Sequence, residues 1–161
     1  MIIGIDVGTR SAGIAALDDN GKLLWSKQLS VGGKSLDDRL YRLNAEIFDA
    51  VVDSAMATDV YAYIEQPPYV QNHKTHAALN QAVGAVKTAL MDAMVVPGIS
   101  ELTATEIKAC FAGKGKATKA DVQSVAKMQF GGDYGEDEAD AIAVAYTGWC
   151  KWKEGRDADS A

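Results

Sequence analysis

Apolar and polar positions change period several times along this chain of 161 residues, and each change marks an element. Residues 1 to 7 are β-branched and apolar around one carboxylate, Asp6, and Ala12 to Leu17 resume that character after a Gly-Thr-Arg-Ser turn. Leu23 to Leu29 follow the Asp-Asn-Gly turn at 19 to 21. Three short strands joined by tight turns make an antiparallel meander. The period then lengthens, and Leu36, Leu40, Leu43, Ile47 and Val51 recur at helical spacing behind Ser35, a plausible N-cap, with Asp37 and Asp38 in the first turn.

From Val60 to Ile64 the period returns to two, with Val60, Ala62 and Ile64 on one face and Tyr61, Tyr63 and Glu65 on the other. Pro67-Pro68 ends this strand, since neither proline can donate to a ladder. Leu79, Val83, Val86 and Leu90 predict a second helix from His76 to Met94, broken by Pro97-Gly98. Ile99 to Leu102 reads as a fifth strand, and Thr103 with Glu106 is a capping-box signal for a short helix to Phe111. Lys119 to Phe130 and Asp137 to Trp152 are helical in period. The order predicts an α/β fold: a five-stranded mixed sheet flanked by helices. No linker divides it, so residues 1–153 form one domain, followed by a polar, disordered tail over 154–161.

Composition changes little in this picture, because 48% hydrophobic and 24% charged residues suit an ordinary soluble globule. No apolar run approaches the roughly 20 residues that span a bilayer, and no signal segment opens the chain, which points to the cytoplasm. Cys110 and Cys150 fit no metal or redox spacing and read as reduced thiols. Charge changes more. A net charge of -6 disfavours nucleic acid as a partner unless the basic residues cluster, as Lys114, Lys116 and Lys119 do.

Candidate chemistry lies in four acids: Asp6 and Glu65 at strand ends, and Asp137 and Asp140 at i, i+3 in a helix start. Each alone has an ordinary use, as a turn-forming side chain before Gly8, a strand-end glutamate, or first-turn charges that favour the helix dipole. Brought to one edge of a sheet, they could hold hard divalent cations, the basis of two-metal phosphodiester cleavage. Gly4-Ile-Asp6-Val-Gly8-Thr9 also resembles the phosphate-binding hairpin of actin-like ATPases and sugar kinases. Those proteins need two domains around a nucleotide, and this chain has length for one.

Four segments, Ile3-Gly4-Ile5-Asp6-Val7-Gly8-Thr9-Arg10, Ile64-Glu65-Gln66, Gly113 to Val122, and Asp137-Glu-Ala-Asp140-Ala141-Ile-Ala143, resemble in order and interval the RuvC family of Holliday junction resolvases. The resemblance spans about residues 1 to 148 and implies the ribonuclease H-like fold. It implies that Asp6, Glu65, Asp137 and Asp140 are catalytic metal ligands for two Mg²⁺, replaceable by Mn²⁺, and that Lys119 is the basic residue near the scissile phosphate. Glu136 and Glu138 flank Asp137 and compete with it as the penultimate ligand.

The resemblance further implies a homodimer that cuts two opposed strands of a four-way DNA junction in recombination and repair, leaving 5′-phosphate and 3′-hydroxyl ends. The helix rich in Ala77, Ala78, Ala82, Gly84, Ala85 and Ala89 corresponds to the family's dimer interface, although core packing alone explains such small residues. The family's base-stacking aromatic, three residues after the strand glutamate, is replaced here by Pro68, with the ring one later at Tyr69. Tyr69 then either stacks on a base or packs beside the proline turn. Lys114, Lys116 and Lys119 are candidate DNA contacts, joined by His73 and Lys74. An RNA-processing nuclease of the same superfamily and a non-cleaving junction-binding protein are the alternatives, and a branch-migration motor partner is not readable.

Overall fold

The computed structural model describes residues 1–93 and 97–159. Strands β1 (Ile2–Val7), β2 (Ser11–Leu17) and β3 (Leu23–Ser30) form the meander, and helix α1 (Leu36–Ala57) leads to β4 (Val60–Glu65). Helix α2 (His73–Asp92), β5 (Pro97–Leu102), α3 (Ala104–Ala112), α4 (Lys119–Phe130) and α5 (Glu136–Asp159) complete the chain. The sheet order is β3-β2-β1-β4-β5. β4 joins β1 in parallel and β5 joins β4 in parallel, whereas the meander pairs are antiparallel. Since β1 and β3 both run opposite to β2, the strands β1, β3, β4 and β5 all end at one edge. The loops that follow them gather there.

Alternation along the strands divides the interior into two cores. Ile3, Ile5, Ile14 and Ile64 pack under α1 and α2 against Leu43, Ile47, Val86 and Leu90. On the other face Ile2, Ala15, Leu17 and Tyr63 meet Ala141 and Ala145 of α5, with Ile107 and Val122 beside them. Counting by twos from Ile2 and Tyr63 puts Asp6 and Glu65 on the α5 face.

Local signals account for most element boundaries. The Ser35 hydroxyl accepts from the Asp38 amide, and Thr103 and Glu106 form the predicted capping box. Thr118 and Asp121 make a second box that starts α4, and Gly131 ends it in the left-handed conformation at φ 78.

α1 runs to Ala57, since no breaker precedes Thr58. Three boundaries differ from the sequence reading. α2 starts at His73, where the Asn72 side chain accepts from the amides of Lys74 and Thr75; Met94, its expected last residue, lies outside the described residues. β5 opens at Pro97, the first position of a strand, where a missing N–H is tolerated. α5 runs on to Asp159, so 154–159 are helical where a disordered tail was expected. Lys153 lies 5.3 Å from the Trp149 ring and Arg156 4.8 Å from the Trp152 ring, contacts that favour these last turns.

Candidate active site

The pairing of Ile5 with Ile64 on parallel strands makes Asp6 and Glu65 neighbours at the carboxyl edge. Across the antiparallel pair Asp6 faces Gly13. A Cβ on Gly13 would overlap the main-chain oxygen of Asp137 and lie 2.9 Å from the Cβ of Ala141, and one on Gly4 would overlap the backbone of Ala145. Helix α5 therefore rests directly on the backbones of β1 and β2. That contact carries Asp137 and Asp140 to the edge where Asp6 and Glu65 end.

Electrostatics tie the acids into one unit. Burial first, then Glu65, Asp140 and Asp137 push the Asp6 carboxyl up to about 7, against the opposing pull of Lys119. Glu65 is raised by burial and by Asp140, with Lys108 and Lys119 acting against the shift. Asp140 is raised by burial above all, while Lys119 and Lys108 oppose. Carboxylates that raise one another across a cleft are the usual signature of a site built for a cation or a shared proton.

These groups line a cavity of about 280 Å³, bounded by Asp6, Glu65, Asp140, Lys108, Lys119 and Pro68 among others. Asp137 is not among the lining side chains, and its Oδ2 accepts a 2.9 Å hydrogen bond from Gln28 Nε2 at the end of β3. Lys119 pairs with Glu136 and stands 3.9 Å from Asp140. The Glu136 hydrogen bond, chiefly, holds the Lys119 ammonium above its usual range.

The two glutamates beside Asp137 separate cleanly. Glu138 accepts from the Ser26 hydroxyl at 3.0 Å and from the Gly135 amide at 3.4 Å, which commits it to β3. Glu136 is committed to Lys119.

Lys108 is one residue that the sequence pattern does not flag. The capping box fixes where α3 starts, and Lys108, five residues after Thr103, projects into the cleft. Gln28 was missed too, although Gly13 lies opposite it in register. Tyr69 is 80% exposed, its ring 5.8 Å from His76 and tilted by 56°, so it is not packed away beside the prolines. Lys116 is exposed, while Lys114 pairs with Asp121 at 3.1 Å.

The donor set is all carboxylate oxygen, which fits a hard divalent cation better than a soft one. Among the described residues no three His, Cys, Asp or Glu side chains stand close enough to grip one ion as they are. The chemistry of the donors fits, while their spacing is open. Also among the described residues, no helix is long and apolar enough to cross a membrane.

Comparison with known proteins bears on this arrangement. Residues 2–148 match the family model described as crossover junction endodeoxyribonuclease RuvC. A protein of that name from Coxiella burnetii is 33% identical over 150 residues, covering 90% of this chain and 84% of its own. One from Delftia acidovorans is 31% identical over 152 residues, covering 91% and 82%. Among solved structures, Thermus thermophilus RuvC superposes with a TM-score of 0.77 at 21% identity, covering 96% of both chains. Thermus thermophilus RuvC in complex with a Holliday junction substrate gives 0.79 at 22% identity, covering 96% and 95%. At those identities the superpositions show a shared fold.

Proposed function

This chain belongs to the RuvC family of crossover junction endodeoxyribonucleases, and from that premise we propose that it is a metal-dependent endonuclease that resolves four-way DNA junctions. The observation that carries the reading is the convergence of Asp6, Glu65 and Asp140 with Lys108 and Lys119 on one cleft at the carboxyl edge of the sheet. Asp6, central in the electrostatic unit, and Glu65, Asp140 and Asp137 around it would hold two Mg²⁺ ions, for which Mn²⁺ can substitute. When bound, such cations supply an activated water and neutralise charge on the departing 3′ oxygen.

The chain's own groups do the positioning. Gln28 holds the Asp137 carboxylate toward the sheet, and Asp140 stays within reach of Lys119. Lys119 and Lys108 place positive charge where a phosphate would enter and offset charge that develops during cleavage. Tyr69, exposed above the Pro67-Pro68 turn, offers a ring to an unstacked base. Lys114 and Lys116 extend the basic rim along the strand backbone.

A homodimer through α2 would place two clefts on opposed strands. The exposed backbone of Gly84 and the 65% exposed Met91 leave that helix face open to a partner copy. The protein would act in recombination and repair in a bacterial cytoplasm, encoded by the cell or by a phage. Cleavage of end-labelled four-way DNA set beside ribosomal precursor RNA tests the substrate. Paired, ligatable nicks in the DNA with intact RNA support the reading, and the reverse result assigns the chain to RNA processing.

A further inference from the structure

We propose that the corner formed by Arg10, Lys34 and Arg39, on the β3 flank of the carboxyl edge, is a second DNA-backbone surface that holds a duplex arm leaving the cleft. The inference rests on the endonuclease reading and adds a surface to it.

Most basic residues on the sides of the molecule are neutralised by near neighbours. Lys27 pairs with Glu46, Lys87 with Glu101, Lys127 with Asp133 and Lys151 with Glu106. Arg10 and Lys34 are exposed and enter no ion pair among the described residues. The same holds for Lys74 and Lys116 at the other end of that edge. Lys22, in the β2–β3 turn at the opposite edge, is likewise exposed and outside any ion pair among the described residues, so Arg10, Lys34, Lys74 and Lys116 make the edge where the strands end the richer of the two in uncommitted cations.

The corner is also held in place. The Val31 amide donates to the Arg10 carbonyl at 2.8 Å, and Arg39 Nε donates to the Thr9 carbonyl at 3.0 Å. The Lys34 amide donates to Asp38 Oδ2 at 3.1 Å, and Arg42 Nε to Asp38 Oδ1 at 3.1 Å. Arg42 is spent on Asp38 and shares a hollow with Glu46 and Asp49, so the positive charge of the corner rests on Arg10, Lys34 and Arg39, with Asp37 the nearby acid left over on α1. The α1 N-terminus adds partial positive charge. These bonds fix the backbone that carries Arg10 and Lys34 and the side chain of Arg39, so on binding only the Arg10 and Lys34 side chains have to be ordered.

Position identifies the occupant. A strand seated at Asp6 must leave the cleft in two directions. Toward β5 it meets Lys108, Lys116 and Lys119, and toward β3 it meets Arg10 and Lys34. β3 lies two strands from β1, roughly 10 Å at ordinary spacing. That distance is about three nucleotides of rise along a duplex.

The test compares the Arg10→Gln/Lys34→Gln double variant with a Lys27→Gln/Lys127→Gln control from the paired flanks. Fluorescence anisotropy follows binding of each to a four-way junction and to plain duplex, in EDTA, across about 50 to 200 mM salt. The control keeps the parent's salt dependence. The corner variant loses about two units of slope in log affinity against log salt, near 0.9 for each lost phosphate contact. A corner variant that tracks the control overturns the surface. A parent that shows no junction preference contradicts the proposed substrate instead, and the duplex slopes still decide the corner.

Discussion

Gly13 and Asp137 meet backbone to backbone, since any side chain at Gly13 would begin inside the main-chain oxygen of Asp137. The same Gly13 faces Asp6 across the β1–β2 ladder. One missing Cβ therefore sets the distance between the acid on the strand and the acids on the helix.

Gly13→Ala is expected to lift the α5 N-terminus from the sheet. The overlap is with backbone, which cannot rotate aside, so a loss of about 2 kcal/mol or more in unfolding free energy is expected. Urea denaturation measures it as a lower midpoint at unchanged slope. Cleavage should fall by at least about tenfold through misplaced carboxylates. An alanine variant as stable and active as the parent would show that this contact does not position the site.

How much of this was legible from the sequence follows from what kind of signal each residue carries. The strands, the order of the helices and the division of β4 into two faces are readable because period and turn chemistry are local. Asp6 and Glu65 were readable at strand ends for the same reason. The role of Gly13 was not, because a glycine inside a strand announces close approach without naming the partner. Lys108 escaped because a lone lysine on a short helix carries no periodic signal, and only the placement of α3 aims it at the cleft. The end of α5 is not legible because its polar composition resembles a tail, whereas Lys153 and Arg156 rest over tryptophan rings one turn back.

Stability should depend on pH through Asp6. Its carboxyl is raised from 3.8 to about 7, so the folded, cation-free protein holds this proton more tightly than the unfolded chain. That contribution is complete below about pH 4 and is lost as pH rises through about 7. Glu65 and Asp140 shift in the same direction. Thermal melts in EDTA should show the midpoint falling between about pH 4 and 7, with a flatter profile for Asp6→Asn. Added Mg²⁺ should raise the parent at pH 8 and leave Asp6→Asn nearly unmoved.

The two cleft lysines should act on turnover more than on binding. Lys119→Met and Lys108→Met are each expected to lower the single-turnover cleavage rate by roughly 100-fold, in line with loss of one charge aimed at a reacting phosphate. Affinity measured in EDTA should fall far less. A Lys108→Met variant with the parent's rate would exclude Lys108 from the reaction.

The acids at the start of α5 should separate by their partners. Glu138 is bound to Ser26 and Gly135, so Glu138→Gln should keep its cleavage rate within about threefold of the parent. Asp137→Asn should lose about 100-fold, and Gln28→Ala should lose part of that by freeing the Asp137 carboxylate. If Glu136→Gln shows the large loss and Asp137→Asn does not, the ligand is Glu136.

Four separated carboxylates are proposed to form one cation-dependent site selective for branched DNA. Its most direct test is cleavage of a synthetic four-way junction, a flap and plain duplex by the parent, Asp6→Asn and Asp140→Asn proteins, with Mg²⁺ or EDTA. Paired cuts are expected in the junction alone, only with Mg²⁺, and abolished in both variants while junction binding persists. Equal cutting of all three substrates, or cutting that survives either substitution, would contradict that expectation.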